Sequence, residues 1–148
     1  MENNNDLDNY FENFETACQV LADGDEAKKV VISFYYSMQR LERFERWGDV
    51  RDLEAAILRA KFAVEGTARG DRDFIERQDV FSHILACRYN QTTEIEDLED
   101  AIKFARQVAN VTPADHPNLA ACLNNLGNKL ESRYGRTGKI EDLVKLLV

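Results

Sequence analysis

The sequence predicts an all-α chain of helical hairpins laid one after another, a solenoid of about two and a half repeats behind an N-terminal capping helix. Three observations carry that prediction. The chain matches itself at an offset of 45 residues without a gap. Apolar residues keep the i, i+3, i+4, i+7 spacing of one helix face. Glycine and proline fall mostly where that spacing breaks.

The self-match is specific. Arg43-Phe44 falls on Arg88-Tyr89 and on Arg133-Tyr134, and Val50 falls on Ile95 and Ile140. Asp52-Leu53 recurs as Asp97-Leu98 and Asp142-Leu143, and a small residue recurs as Ser37, Ser82 and Gly127. Around Asp52, the run Asp52-Leu53-Glu54-x-Ala56-Ile57-x-x-Ala60-Lys61 matches Asp97-Leu98-Glu99-x-Ala101-Ile102-x-x-Ala105-Arg106. One unbroken register across three copies is strong ground for a repeat architecture.

Each element follows in order. Residues 6–22 form an amphipathic helix, with Leu7, Tyr10, Phe11, Phe14, Cys18 and Leu21 on one face and Asp8, Glu12 and Glu15 available for the other. It reads either as a cap over the first hairpin's apolar side, which arrays need for solubility, or as an acidic aromatic helix that docks on a partner or folds into the groove. The first hairpin spans 27–44 and 50–65. Within it Val30-Val31-Ile32-Ser33-Phe34-Tyr35-Tyr36 has the composition of a strand, but the register sets Tyr36 on Phe81 and Leu126, so the segment is assigned to helix. Phe34, Tyr35, Tyr36 and Met38 are expected in core or inter-unit packing rather than a ligand pocket.

The second hairpin spans 73–89 and 95–111. Leu98, Ala101, Ile102, Ala105, Val108 and Ala109 line one face of its second helix, Thr93-x-x-Glu96 has the spacing of a capping box, and Thr112-Pro113 stops the helix. The third spans 117–134 and 140–148, with Asp115 placed to cap it and Pro117 in its first turn. Gly24, Gly48, Gly66, Gly70, Gly135 and Gly138 mark junctions, and Gly127 sits within a helix. The small residues at 37, 82 and 127 let the partner helix approach. The domain organisation is thus an acidic helix over 1–26 and repeats over 27–71, 72–116 and 117–148, the last shortened. Its final apolar residues Leu143, Leu146, Leu147 and Val148 have no polar cap. Such an edge is expected in a shortened chain or one that meets another copy, hence self-association through residues 117–148.

Composition removes several functions. The chain has 148 residues, 44% apolar and 31% charged, and no apolar run long enough for a membrane span. The net charge of −8 comes from residues 1–27, where Glu2, Asp6, Asp8, Glu12, Glu15, Asp23, Asp25 and Glu26 meet no Lys or Arg. The rest is balanced, which leaves no basic stripe for nucleic acid. Three cysteines without a CxxC pair, and no signal-peptide pattern, point to a reducing, cytoplasmic setting.

Leu123-Asn124-Asn125-Leu126-Gly127-Asn128, then Arg133-Tyr134-Gly135-Arg136-Thr137-Gly138 and Asp142-Leu143, resemble a tetratricopeptide repeat. They resemble most the long, kinesin-light-chain-like version strung in arrays in large fungal proteins, and Thr112-Pro113-x-Asp115-His116-Pro117 resembles its connector. The likeness covers residues 28–148 and is strongest from 88 onward. The first unit departs from it, with Tyr35-Tyr36-Ser37-Met38 in place of the Asn-rich core and Trp47-Gly48 in place of Thr-Gly. A period of 45 against the usual ~34 implies longer helices or loops.

The resemblance implies a non-catalytic scaffold that binds a protein or peptide in a concave groove lined by first helices. An alternative is the sensor or regulatory fragment of a larger caspase-like (CHAT) or NTPase signalling protein. In related repeats, Asn at the positions of Asn124, Asn125 and Asn128 contacts peptide. The register stacks Asn124 and Asn128 on Asp79 and His83, and those on Phe34 and Met38. Asparagine suits peptide capture because its amide both donates and accepts; the same residues also read as a solvated open face. His83 and Cys87 stand at i, i+4, half of a zinc site or a Cys–His pair, without a companion ligand in register. No catalytic residue, metal or cofactor is assigned.

Overall fold

In a computed structural model the described residues are 4–20 and 25–147, and they form seven helices packed as sequential antiparallel hairpins. The helices are α1 (Asn4–Val20), α2 (Glu26–Trp47), α3 (Val50–Glu65), α4 (Phe74–Thr92), α5 (Ile95–Val111), α6 (Leu119–Thr137) and α7 (Ile140–Leu147). Between residues 28 and 111 there is no strand, and the strand-like Val30–Tyr36 segment is the second turn onward of α2. Two compact units divide the chain, Met1–Asp71 with α1–α3 and Arg72–Val148 with α4–α7.

The offset of 45 survives as geometry. Each hairpin ties its first helix to its second with a buried or half-buried Arg–Asp pair nine residues apart. Arg43 Nε donates to Asp52 Oδ2 at 2.8 Å, Arg88 Nε to Asp97 Oδ2 at 2.9 Å and Arg133 Nε to Asp142 Oδ2 at 2.9 Å. A second guanidinium nitrogen completes the fork each time, at 2.8, 2.7 and 2.6 Å. Such bidentate, charge-assisted bonds fix orientation as well as distance. The turns repeat too. Gly48, Thr93 and Gly138 end α2, α4 and α6 in the left-handed conformation, with φ of 72°, 59° and 68°. Their amides donate to Phe44, Tyr89 and Tyr134 carbonyls at 2.7 Å.

Several local expectations need correction. Thr93 does not open α5 as a capping box, because its backbone is already spent closing α4 and its hydroxyl donates to the Thr92 carbonyl at 2.7 Å. Glu94 takes the N-cap position without a side-chain bond. Asp115 and Pro117 precede α6 rather than start it; Asn118 is the N-cap, and the Nδ1 of His116 accepts from its amide at 3.0 Å. Gly135 lies in the last turn of α6, not at a junction. Gly24 and Leu21 lie outside the described residues, as do the side chains of Leu7, Leu143, Leu146 and Leu147, and Val148.

In the first unit α1 packs on α2. Phe11 and Cys18 are buried, Phe14 is half-buried, and Tyr10 is exposed. The Phe11 ring meets Tyr36 edge-on at 5.6 Å, and the Arg40 and Arg43 guanidiniums each lie 4.8 Å from its centroid. Cys18 Sγ lies 4.0 Å from Ser33 Oγ. Burying aromatic and aliphatic side chains of this size contributes about 1.5–3 kcal/mol each.

The second unit shows what position α1 holds. There α6 packs on α5 through Leu126 and Leu130 against Leu98 and Ile102. In the register Leu126 and Leu130 correspond to Tyr36 and Arg40, the α2 residues that meet Phe11 of α1. Thus α1 covers the same slots of α2 that α6 presents to α5. Within the hairpin of α4 and α5, the small residue does allow close approach: Ser82, fully buried, donates to the Ala101 carbonyl at 2.7 Å, beside Phe81 and Phe104 rings 4.8 Å apart.

Candidate functional site

In the second unit the starts of α4 and α6 frame an open cleft of about 420 Å³. Arg72, Ile75, Glu76 and Asp79 line it from the α4 side, His116 and Asn118 from the connector, and Ala121, Cys122 and Asn125 from α6. The proline-bounded connector sets this geometry. Pro113 and Pro117 keep residues 113–117 out of helix, and the His116–Asn118 bond turns the imidazole toward the entry of α6. The wall mixes amides that donate and accept, carboxylates that accept, an imidazole and a guanidinium. Cys122 in this wall is buried, its sulfur 4.0 Å from the Thr112 hydroxyl, which itself donates to the Val108 carbonyl at 2.6 Å.

Beyond the cleft, α4 presents Asp79, His83 and Cys87 one turn apart, and Lys129 of α6 lies close enough to interact with Asp79 and Cys87. Lys129 is half-buried; desolvation pushes its ammonium below the usual lysine range, against the opposing pull of Asp79 and Cys87. Cys87 Sγ stands 3.7 Å from His83 Nε2. Among the described residues, no group of three or more His, Cys, Asp or Glu side chains is placed to hold a metal ion. No helix among them is long and apolar enough to cross a membrane.

The residues singled out in the sequence are divided by this arrangement. Asp79 and Asn125 share the cleft, and His83 follows one turn further along α4. Asn124 and Asn128 are exposed on α6, the Asn128 carbonyl accepting from Ser132 Oγ at 3.0 Å. Phe34 and Met38 belong to the first unit, Phe34 half-buried and Met38 exposed. Tyr35 is exposed as well, its ring 5.7 Å from Phe14. Tyr35 and Met38 therefore lie outside the buried core. The buried stripe of α2 runs through Val30, Ser33, Tyr36, Ser37 and Arg43, and the helical period carries Tyr35 and Met38 past its edge.

Sequence reasoning passed over Arg72, Glu76, Asn118 and Lys129, and gave His116 a place in the connector but no part in a site. His116 and Asn118 stand outside any periodic segment, where no helix face points to them. Their signal was the proline on either side of His116, which holds a polar connector beside the mouth of a helix pair. No family model matches this chain, and neither does any curated protein or solved structure.

Proposed function

We propose that the chain is a non-catalytic scaffold of tetratricopeptide type that binds a protein or peptide along its first helices, in a cytoplasmic setting. The observation that carries this reading is the cleft between α4 and α6, where Asp79, Asn118 and Asn125 meet within one open concavity. Peptide backbone presents alternating donors and acceptors, and amide and carboxylate side chains satisfy both kinds without regard to sequence. The exposed Asn124 and Asn128 continue the same polar face along α6.

The test is selection from a displayed library of random peptides on the full chain, followed by titration of the selected peptides. Asn125→Ala and Asp79→Ala should each weaken binding by about tenfold, the loss of one buried or charge-assisted hydrogen bond. Selected peptides that bind both variants as tightly as the parent would remove the cleft from the reading. Failure to select any peptide would remove the reading itself.

Self-association through residues 117–148 belongs to the same proposal. Leu123, Ile140 and Val144 are all more than half exposed there. Light scattering should show mass rising with concentration, and Leu123→Glu with Val144→Glu should abolish the rise. A parent chain monomeric at every concentration refutes this association.

A further inference from the structure

Three cysteines occupy three different environments. Cys18 is 1% exposed and sits against Ser33, and Cys122 is 7% exposed against Thr112. Cys87 is half-buried on α4 with an exposed imidazole, that of His83, at 3.7 Å from its sulfur. An imidazole at this distance can take the thiol proton as the sulfur attacks, and partial exposure admits a reagent.

We infer that Cys87 is a site of thiol modification, placed by His83 to exchange with low-molecular-weight disulfides while Cys18 and Cys122 stay shielded. The step is balanced within those groups. His83 takes the proton of the Cys87 thiol, and the sulfur attacks one sulfur of the disulfide. The disulfide's S–S bond breaks as a new one forms to Cys87, and the departing thiolate takes a proton from the imidazolium or water. No electron beyond those of the incoming disulfide is needed. The inference does not depend on peptide binding in the cleft.

The experiment treats the folded full chain with oxidised glutathione and, separately, with a chromogenic aromatic disulfide, and maps adducts by mass spectrometry. One thiol should react about tenfold faster than the other two, and it should map to Cys87. In urea all three should converge. His83→Gln, with its helical circular dichroism unchanged, should slow the fast thiol by about three- to tenfold. A first adduct that maps to Cys122 overturns the assignment, and so does a fast phase that survives Cys87→Ser. An unchanged rate in His83→Gln would show exposure alone at work and overturn the role given to the imidazole.

Discussion

Arg43 and Arg88 stand 45 residues apart and each grips an aspartate nine residues on, yet they live in different surroundings. Arg43 is 4% exposed beneath α1, which adds the Phe11 ring on its face and Asp8 as a further acceptor at 2.6 Å. Arg88 keeps 25% of its side chain in solvent. Asp52 and Asp8 together hold Arg43 above the ordinary arginine range, Asp52 foremost. Around it, Arg40 adds an ion pair to Asp52 at 3.2 Å, and Arg59 reaches across from α3 to Glu15 of α1. Burial would raise Glu15, but its bonds to Arg59 and Tyr36 hold it below the usual carboxyl range. One pair of residues therefore makes two different fastenings, and the covering helix decides which.

The sharpest way to break that comparison is to remove each arginine in turn. Arg43→Ala leaves the fully buried Asp52 to Arg40 alone, a loss of about 3 kcal/mol. Arg88→Ala takes a half-buried guanidinium from Asp97, itself 6% exposed, and opens that carboxylate to water, so it should cost about 1–2 kcal/mol. Urea unfolding followed by circular dichroism measures both, and equal losses would mean that α1 contributes nothing to the first pair.

Alkaline titration separates the units next. Tyr36 sits where the second unit has Phe81, and its phenol is pushed up to about 12, by burial first and by its hydrogen bond to Glu15 second. A group raised in the folded state stabilises fully below its unfolded value and loses that contribution as pH climbs through the folded one. The unit Met1–Asp71 should thus weaken between about pH 10 and 12, as the unfolded chain releases the proton first. Tyr36→Phe should flatten stability over that window, and a slope unchanged in this variant would assign the loss elsewhere.

A smaller effect lies in the turns. Thr93 bears the left-handed strain that Gly48 and Gly138 avoid, so Thr93→Gly should stabilise by about 1 kcal/mol. Gly48→Ala should cost a similar amount through backbone alone, since an added Cβ would meet nothing within 4 Å. Thermal melts that move the same way for both would contradict the equivalence of the slots.

Acid titration gives the least. Asp49 is held at about 2, by the Arg51 side chain first, and it also accepts the Arg51 amide at 3.0 Å; Glu94, in the same slot, makes no such bond. A lowered carboxyl stabilises above its unfolded value near 4 and loses the contribution as pH falls toward 2. Asp49→Asn should remove a slight dependence in that range, and an unchanged acid limb in this variant would assign the loss elsewhere.

Most of the helical layout was legible because it rests on local periodicity and on an offset that any reader can lay down. The segment at Val30–Tyr36 shows the register prevailing over composition, since tertiary context overrides strand propensity. The Arg–Asp pairs were visible only as recurrences. Residues nine apart share no helix face, so their meeting depends on the turn closing first. Thr93 was misread because its spacing to Glu96 fits a cap, although its register partners Gly48 and Gly138 carried the truer signal. The site was less legible. Asp79 and Asn125 were named, but the register stacks like with like, whereas the cleft joins Asp79 to a neighbouring slot on α6 and borrows a connector.

The nine-residue ion pair has one more consequence. A hairpin that contains both halves of its own latch arrives complete when its stretch of sequence is duplicated. Only the seams to adjoining hairpins then have to be refitted, which is how an array can lengthen by whole units without first losing its fold.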